Sequence, residues 1–402
     1  MLTPYDEYPV HQAARPFSHI PSTDYNWDDG YYFAAMSPTH KTQLCCGLRV
    51  NPNSDMVGGY ALLNIEGRQT TLRFSRCWRR DFTLKVGPFQ IEFIEPLKKI
   101  RIALGENPSG ISFEMYWEGT SPAVLEKHHV AENRGRRTTD QTRYSQAGKV
   151  AGWMSFRGKR TVMNEEDWYG ARDHSWGLYA ERPPLSPVST LLPPRQVTGA
   201  KRGFRFWTCW RTGEFSGHYE INESSDGRQI ALNDAFGVPF SGKLFRGWDQ
   251  EFELDAGRHE MEYHAGSQLL KRGLIFLTDS RGQEWRQEFI PCAPPWLPIT
   301  MGYSPGSWKD GGTFHTYHGS EELAMEWDEF DFANQPVPRP NYLPTGAARE
   351  DSFGFNNNTD QPVYGQEYVC RVTTYAPDGT IAIGGGQSEH VISPPYFPYG
   401  FK

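Results

Sequence analysis

In Ile111-Ser112-Phe113-Glu114-Met115-Tyr116-Trp117 an apolar side chain falls at every second position. A period of two puts 111, 113, 115 and 117 on one face of an extended strand, whereas a helix would scatter them around its axis. Further strand-like runs recur at short spacing, at 59–65, 70–74, 91–95 and 100–104. Turn-forming segments separate them, such as Asn53-Ser54-Asp55 and Glu106-Asn107-Pro108-Ser109-Gly110. The second half has the same texture. Phe204-Arg205-Phe206-Trp207-Thr208-Cys209-Trp210 and Gly217-His218-Tyr219-Glu220-Ile221-Asn222 read as strands. Asp226-Gly227, Asp255-Ala256-Gly257 and Asp378-Gly379 read as hairpin-type turns.

No helical stretch is both long and periodic. With 40 Gly, 30 Pro and 14 % aromatic residues in 402, many short strands are favoured over long helices. The expectation is an all-β chain of two similar units, 1–195 and 196–402, the boundary uncertain by about 30 residues. The break is placed at the proline-rich 183–194, read as a linker or as a loop over a cavity mouth. The stretch 334–363, rich in Pro and Asn, reads as an irregular loop.

A net charge of −7 offers no basic footprint, so nucleic-acid binding is not expected. No apolar run approaches the ~20 residues of a membrane helix. The N-terminal residues carry no basic-then-apolar leader, and a cytoplasmic location is expected. The six cysteines (45, 46, 77, 209, 292, 370) have neither C-x-x-C nor zinc spacing and read as reduced thiols. Whether the chain forms a homodimer is left open.

Chemistry concentrates in Asp167-Trp168-Tyr169-Gly170-Ala171-Arg172-Asp173-His174-Ser175-Trp176-Gly177. Asp173 and His174 can move a proton, and Trp168, Tyr169 and Trp176 can wall a dry cavity in which burial raises a carboxyl pKa. In a regular strand Arg172, His174 and Trp176 share one face and Asp173 and Ser175 the other, so a bulge is needed to bring 173 and 174 together. A second cluster holds Tyr303, Trp308, His315 and His318 in a glycine-rich segment. His315 and His318, with Glu321 and Glu322 nearby, form only a weak metal signal. Gly302-Tyr303-Ser304-Pro305-Gly306 matches G-x-S-x-G, but Pro305 has no N–H to serve an oxyanion hole, and the hydrolase reading is rejected. Gly384-Gly385-Gly386 opens no helix and is not a phosphate loop. Glu389-His390 reads as a solvated surface pair.

Gly170 and Arg172-Asp173-His174-Ser175-Trp176-Gly177 resemble a signature of the carotenoid 1,2-hydratase (hydroxyneurosporene synthase)-like group, the AttH-like double-lipocalin proteins. Trp27-Asp28-Asp29-Gly30-Tyr31-Tyr32-Phe33, Phe93-Ile94-Glu95-Pro96-Leu97-Lys98-Lys99-Ile100-Arg101, Gly110-Ile111-Ser112-Phe113, Gly302-Tyr303, Trp308, Gly311 and Glu326-Trp327 fit a bacterial branch of that group. The resemblance implies two lipocalin-like β-barrels. It also implies a hydrophobic terpenoid, steroid or polycyclic aromatic substrate between them, and no cofactor. On that reading Asp173 protonates carbon, kept neutral by burial, and His174 orients Asp173 or activates water. Trp168, Tyr169 and Trp176 face the cation, and Tyr303, Trp308 and His315 contact substrate. The expected activity is a hydratase or dehydratase. An isomerase or cyclase using the same cavity, and a carrier of hydrophobic ligands, are the alternatives.

Overall fold

The structure is a computed structural model that describes residues 2–9, 13–133, 135–179, 199–232, 238–303, 306–333, 341–342, 348–349 and 365–402. The expected linker at 183–194, and 334–363 apart from the short pair noted below, lie outside them.

The N-terminal unit begins with four long antiparallel strands, β1 (Trp27–Ser37), β2 (Thr42–Asn51), β3 (Met56–Ile65) and β4 (Arg68–Cys77). It continues through β5 (Lys85–Val86), β6 (Phe89–Glu95), β7 (Lys99–Leu104) and β8 (Ile111–Gly119). Then come β9 (Val124–Leu125), β10 (His129–Asn133), β11 (Arg136–Phe156), β12 (Lys159–Met163) and β13 (Tyr169–Tyr179). The main path runs β4-β3-β2-β1-β13-β11-β8-β7-β6-β5, a curled sheet.

The second unit is a closed antiparallel barrel of eight strands. They are β14 (Arg202–Thr212), β15 (Phe215–Ser224), β16 (Phe240–Arg246), β17 (Gln250–Tyr263), β18 (Leu270–Asp279), β19 (Glu284–Pro291), β23 (Gln366–Tyr375) and β24 (Ile381–Ile392). Between β19 and β23 the chain leaves the barrel and adds β20 (Ala324–Asp331) to the edge of the first sheet, beside β4. The short strands β21 (Asn341–Tyr342) and β22 (Ala348–Arg349) pair with each other. Helix among the described residues is confined to 3-10 turns at Pro4–Glu7 and Phe397–Tyr399. The fold is all-β, with an up-and-down barrel of lipocalin type and a curled partner sheet, as expected from the sequence.

Burial follows the layering. β7 and β8 alternate between buried and more exposed positions, the pattern of strands with one wet face. β2 and β15 are buried at every position, and β14 at all but one. These strands are covered on both faces: by their own unit's core, and by the other unit. One core fills the curled sheet, including Leu72, Phe74, Phe113 and Trp117. A second fills the barrel, including Phe206, Trp210, Tyr219 and Trp285. A third lies between the units, including Met36, Tyr60, Trp207, Trp296 and Phe314.

One turn expectation fails. Asp255-Ala256-Gly257 lies inside β17, where the register slips between Leu254 and Ala256. The turn residues serve a bulge that bends a long barrel strand. Asp378-Gly379 does join β23 to β24, with Gly379 at φ +87°.

Gly170 has a packing task. It stands opposite Gly148, and the Trp117 indole lies across both. A Cβ at Gly170 would sit 2.5 Å from Trp117 Nε1. Gly170→Ala is expected to lose about 1–3 kcal/mol by overpacking, measured by urea denaturation.

Candidate functional site

On a regular sheet, residues directly opposite each other share a face. Asp173 stands opposite Tyr32 on β1 and Ser145 on β11, so these three side chains lie abreast. That face, continued by Cys45 and Tyr60, packs against Trp207, Cys209 and Val369 on the outside of the barrel. The seam between the units is therefore built from the outer surfaces of both. The polar side chains that alternate with the barrel's interior residues, Arg205, Glu220, Glu367, Gln387 and Glu389, are carried into it.

Asp173 is half-buried, and among the described residues its carboxyl has no hydrogen-bond partner. Burial pushes its pKa above the usual carboxylate range, and Glu126 adds to the rise. Arg143, Arg49 and His174 pull the other way without cancelling it. Burial, rather than a hydrogen-bond partner, is what favours the neutral form of this carboxyl.

Glu367 is pushed well up by burial and by Glu389. Gln387 Nε2 donates to Glu367 Oε2 at 2.8 Å, and Tyr32 Oη donates to Gln387 Oε1 at 2.8 Å. Because the folded-state pKa is raised, the stability linked to Glu367 is fully present below the unfolded carboxyl pKa and lost as pH rises through the folded value. Glu367→Gln is thus expected to raise the unfolding temperature near neutral pH and leave it unchanged near pH ~4, the ordinary carboxyl range. Thermal melts at both pH values check this.

The charged groups around Asp173 are buried. Arg49 pairs with Asp28 at 2.6 Å and lies 5.4 Å from the centre of the Tyr303 ring, whose hydroxyl donates to Tyr60 Oη at 3.2 Å. Arg205 bridges Glu220 (2.7 Å) and Glu389 (2.9 Å). Glu126 accepts from Ser145 Oγ at 2.6 Å and lies 3.7 Å from Arg143. His129 and His218 flank Glu126.

Residues 2–337 match the model of a family of unknown function, DUF8625. The chain belongs to the DUF8625 family. Among curated proteins no match to the sequence is found. Solved structures similar to this DUF8625 chain include CghA with Sch210972, at 11 % identity and TM-score 0.44, over 92 % of this chain and 89 % of that one. Kievitone hydratase from Nectria haematococca is similar at 11 % identity and TM-score 0.41, over 91 % and 89 %.

The DUF8625 chain divides the sequence candidates between several places. β13 keeps regular register from Tyr169 to Leu178, with no bulge, so Asp173 and His174 point to opposite sides of the sheet. His174 lies 2.7 Å from Asp29, 3.2 Å from Tyr144 Oη, stacked on Tyr31 and beside Trp176, which is 37 % exposed. Trp168 is buried in the N-terminal core and stacks on His40. Tyr169 and Tyr303 reach the seam. Trp308 is buried against the His318 ring, 3.8 Å between centroids. His318 is bonded to Asp310 and the Thr313 carbonyl, and His315 to the Tyr25 carbonyl, so these two histidines, a weak metal signal in the sequence, are committed to holding their loop. Asp173, Tyr169 and Tyr303 thus share the seam; His174, Trp168, Trp176, Trp308 and His315 do not line it with them.

Glu389 and His390 are a correction. Rather than forming a solvated pair, Glu389 faces the seam on Arg205, and His390 is buried inside the barrel against Tyr263 Oη at 3.1 Å. The seam residues Tyr32, Glu126, His129, Arg143, His218 and Glu220 were not among the site candidates of the sequence. A pocket of about 740 Å³ opens elsewhere, against β4 and β20. Its ionic groups include the exposed Arg157–Glu329 pair, and it presents no buried acid or base.

Proposed function

We propose that this chain is an acid/base enzyme of hydro-lyase type, with Asp173 as proton donor to an apolar alkene held in the seam between its two units. The observation that carries this is the Asp173 carboxyl: half-buried in the seam and uncommitted to any described partner. Both unit interiors are filled by their own side chains, which disfavours a carrier that stores its ligand inside a barrel.

In the hydration direction the Asp173 O–H proton forms a C–H bond as the alkene π bond breaks. Water adds to the resulting cation, and the Asp173 carboxylate takes the proton that this water releases, so the acid is restored. The half-buried Tyr32 ring, abreast of Asp173, offers a π face to the positive charge, and a desolvated cation–π contact contributes about 2 kcal/mol. A terpenoid, steroid or polycyclic aromatic skeleton suits an aromatic, water-poor seam.

The test is incubation of the protein with such a panel in heavy-oxygen water, read by mass spectrometry. A product carrying one labelled water is expected. An isomeric product without label assigns the site to an isomerase or cyclase, and ligand recovered unchanged across the panel overturns the enzymatic reading.

A further inference from the structure

We propose that Glu126, His129, His218 and Glu220 form a binding site for a divalent cation of zinc type, with two ligands from each unit. Glu126 and His129 are three apart around the start of β10, and His218 and Glu220 are two apart on one face of β15. Two imidazoles with carboxylates suit zinc-like ions better than calcium or magnesium, which take oxygen shells.

All four side chains are buried, with exposures of 0 %, 4 %, 0 % and 1 % in chain order. One ligand atom each from Glu126, His129 and Glu220 lies within 4.8 Å of the others. His129 Nε2 is 3.9 Å from Glu126 Oε2, and His218 Nε2 is 3.4 Å from Glu126 Oε1. Neighbouring ligands of a tetrahedral zinc with ~2.0–2.1 Å bonds stand about 3.4 Å apart; Glu126, His129 and Glu220 draw together around the ion, and the His218 ring moves in from the Glu126 side to complete the shell.

Unmet polar atoms point the same way. His218 Nδ1 is 3.0 Å from the Thr208 carbonyl, an acceptor only, so that nitrogen carries the proton. The Nε2 lone pair then has no hydrogen bond and faces Glu126 Oε1, an acceptor that already takes the Ser145 hydroxyl. Both ring nitrogens of His129 and Glu126 Oε2 are likewise buried without hydrogen-bond partners. Facing acceptors in a dry interior are unfavourable unless something positive or donating lies between them. The outer contacts of the four residues hold them in place. Thr208 fixes His218, Ser145 holds Glu126, and Arg205 and Asn222 hold Glu220 Oε2 at 2.7 and 3.0 Å. Carboxylates outnumber cations here even without Glu367 and Asp173: Glu126, Glu220 and Glu389 meet Arg143 and Arg205, while Arg49 is committed to Asp28.

The inference does not depend on Asp173 as proton donor, because metal content is read without turnover. The full-length protein is incubated with Zn²⁺, freed of excess and assayed for zinc by mass spectrometry. One equivalent per chain is expected, lost in Glu126→Gln and His218→Gln and kept in His318→Ala. In parallel, Co²⁺ added to the wild type is expected to give the visible absorption of a four- or five-coordinate site, which decides the matter if the variants fail to fold. Wild type that holds no more zinc than Glu126→Gln, zinc lost with His318→Ala, or cobalt showing only the spectrum of the hydrated ion would each overturn the site and leave these atoms to a buried water.

Discussion

Asp173→Asn is expected to lower turnover of any compound the protein transforms by about 10²–10⁴-fold, the usual contribution of a positioned general acid, while the unfolding temperature near neutral pH stays level or rises. An amide has nearly the shape of the carboxyl but cannot give a proton to carbon. Among the described residues no hydrogen bond is lost with the carboxylate, and a desolvated charge is removed. The folded-state pKa of Asp173 is raised, so its contribution to stability is fully present below the unfolded pKa and lost as pH rises through the folded one. The wild type therefore loses stability relative to the variant over that interval. Activity has the same sign: the protonated form is the donor, so kcat/KM falls as pH climbs past the raised pKa. A kcat/KM profile for wild type and variant, with circular-dichroism melts on the same samples, tests both. Turnover within a few fold of wild type in a folded Asp173→Asn protein would move the proton donor to another residue.

How much of this was legible depended on what each face of a strand touches. The alternation at 111–117 was readable because β8 has one wetter face, and period two survives there. β2 and β14 alternate poorly because both faces are covered. The same geometry concealed the site. Within Gly217-His218-Tyr219-Glu220-Ile221-Asn222, polar residues alternate with apolar ones as on a solvated strand, yet His218 and Glu220 are buried against the N-terminal unit. Glu389 was misread as surface for that reason. Asp173 stood out because an acid, a base and aromatics crowd into one short motif. Glu126, Arg205 and Glu367 are dispersed along the chain and meet only when two outer faces pack together. Strand geometry already put His174 and Asp173 on opposite faces unless a bulge intervened, and the unbroken register of β13 keeps them apart.

Arg73→Met is expected to destabilise the protein by about 3–5 kcal/mol, the range for removing one partner of a buried ion pair. The guanidinium of Arg73 is fully buried on β4, with Nε donating to Glu326 at 2.8 Å and an Nη donating to Asp328 at 2.5 Å. Both acids belong to β20, the strand that the second half of the chain sends back to the edge of the first sheet, and their side chains are only 19 % and 11 % exposed. Arg73 also lies 5.7 Å from the centre of the Trp308 ring, and Lys309 N–H donates to the same Glu326, so the glycine-rich loop is fastened at this point too. Methionine keeps the apolar volume but leaves two carboxylates with little water to solvate them. The cost then falls on the pairing of β20 with β4, and β20 is what covers the open edge of β4. Urea denaturation measures the loss, and hydrogen exchange locates it: the amides of Ala324–Asp331 are expected to exchange faster before the barrel amides do. Because the pair is buried, raising the salt concentration is expected to change the difference between wild type and variant little, unlike the exposed Lys41–Glu66 pair. A loss below about 1 kcal/mol with unaltered exchange in β20 would mean that backbone pairing and the packing of the loop hold the two units together without this arginine, since a surface ion pair contributes no more than that.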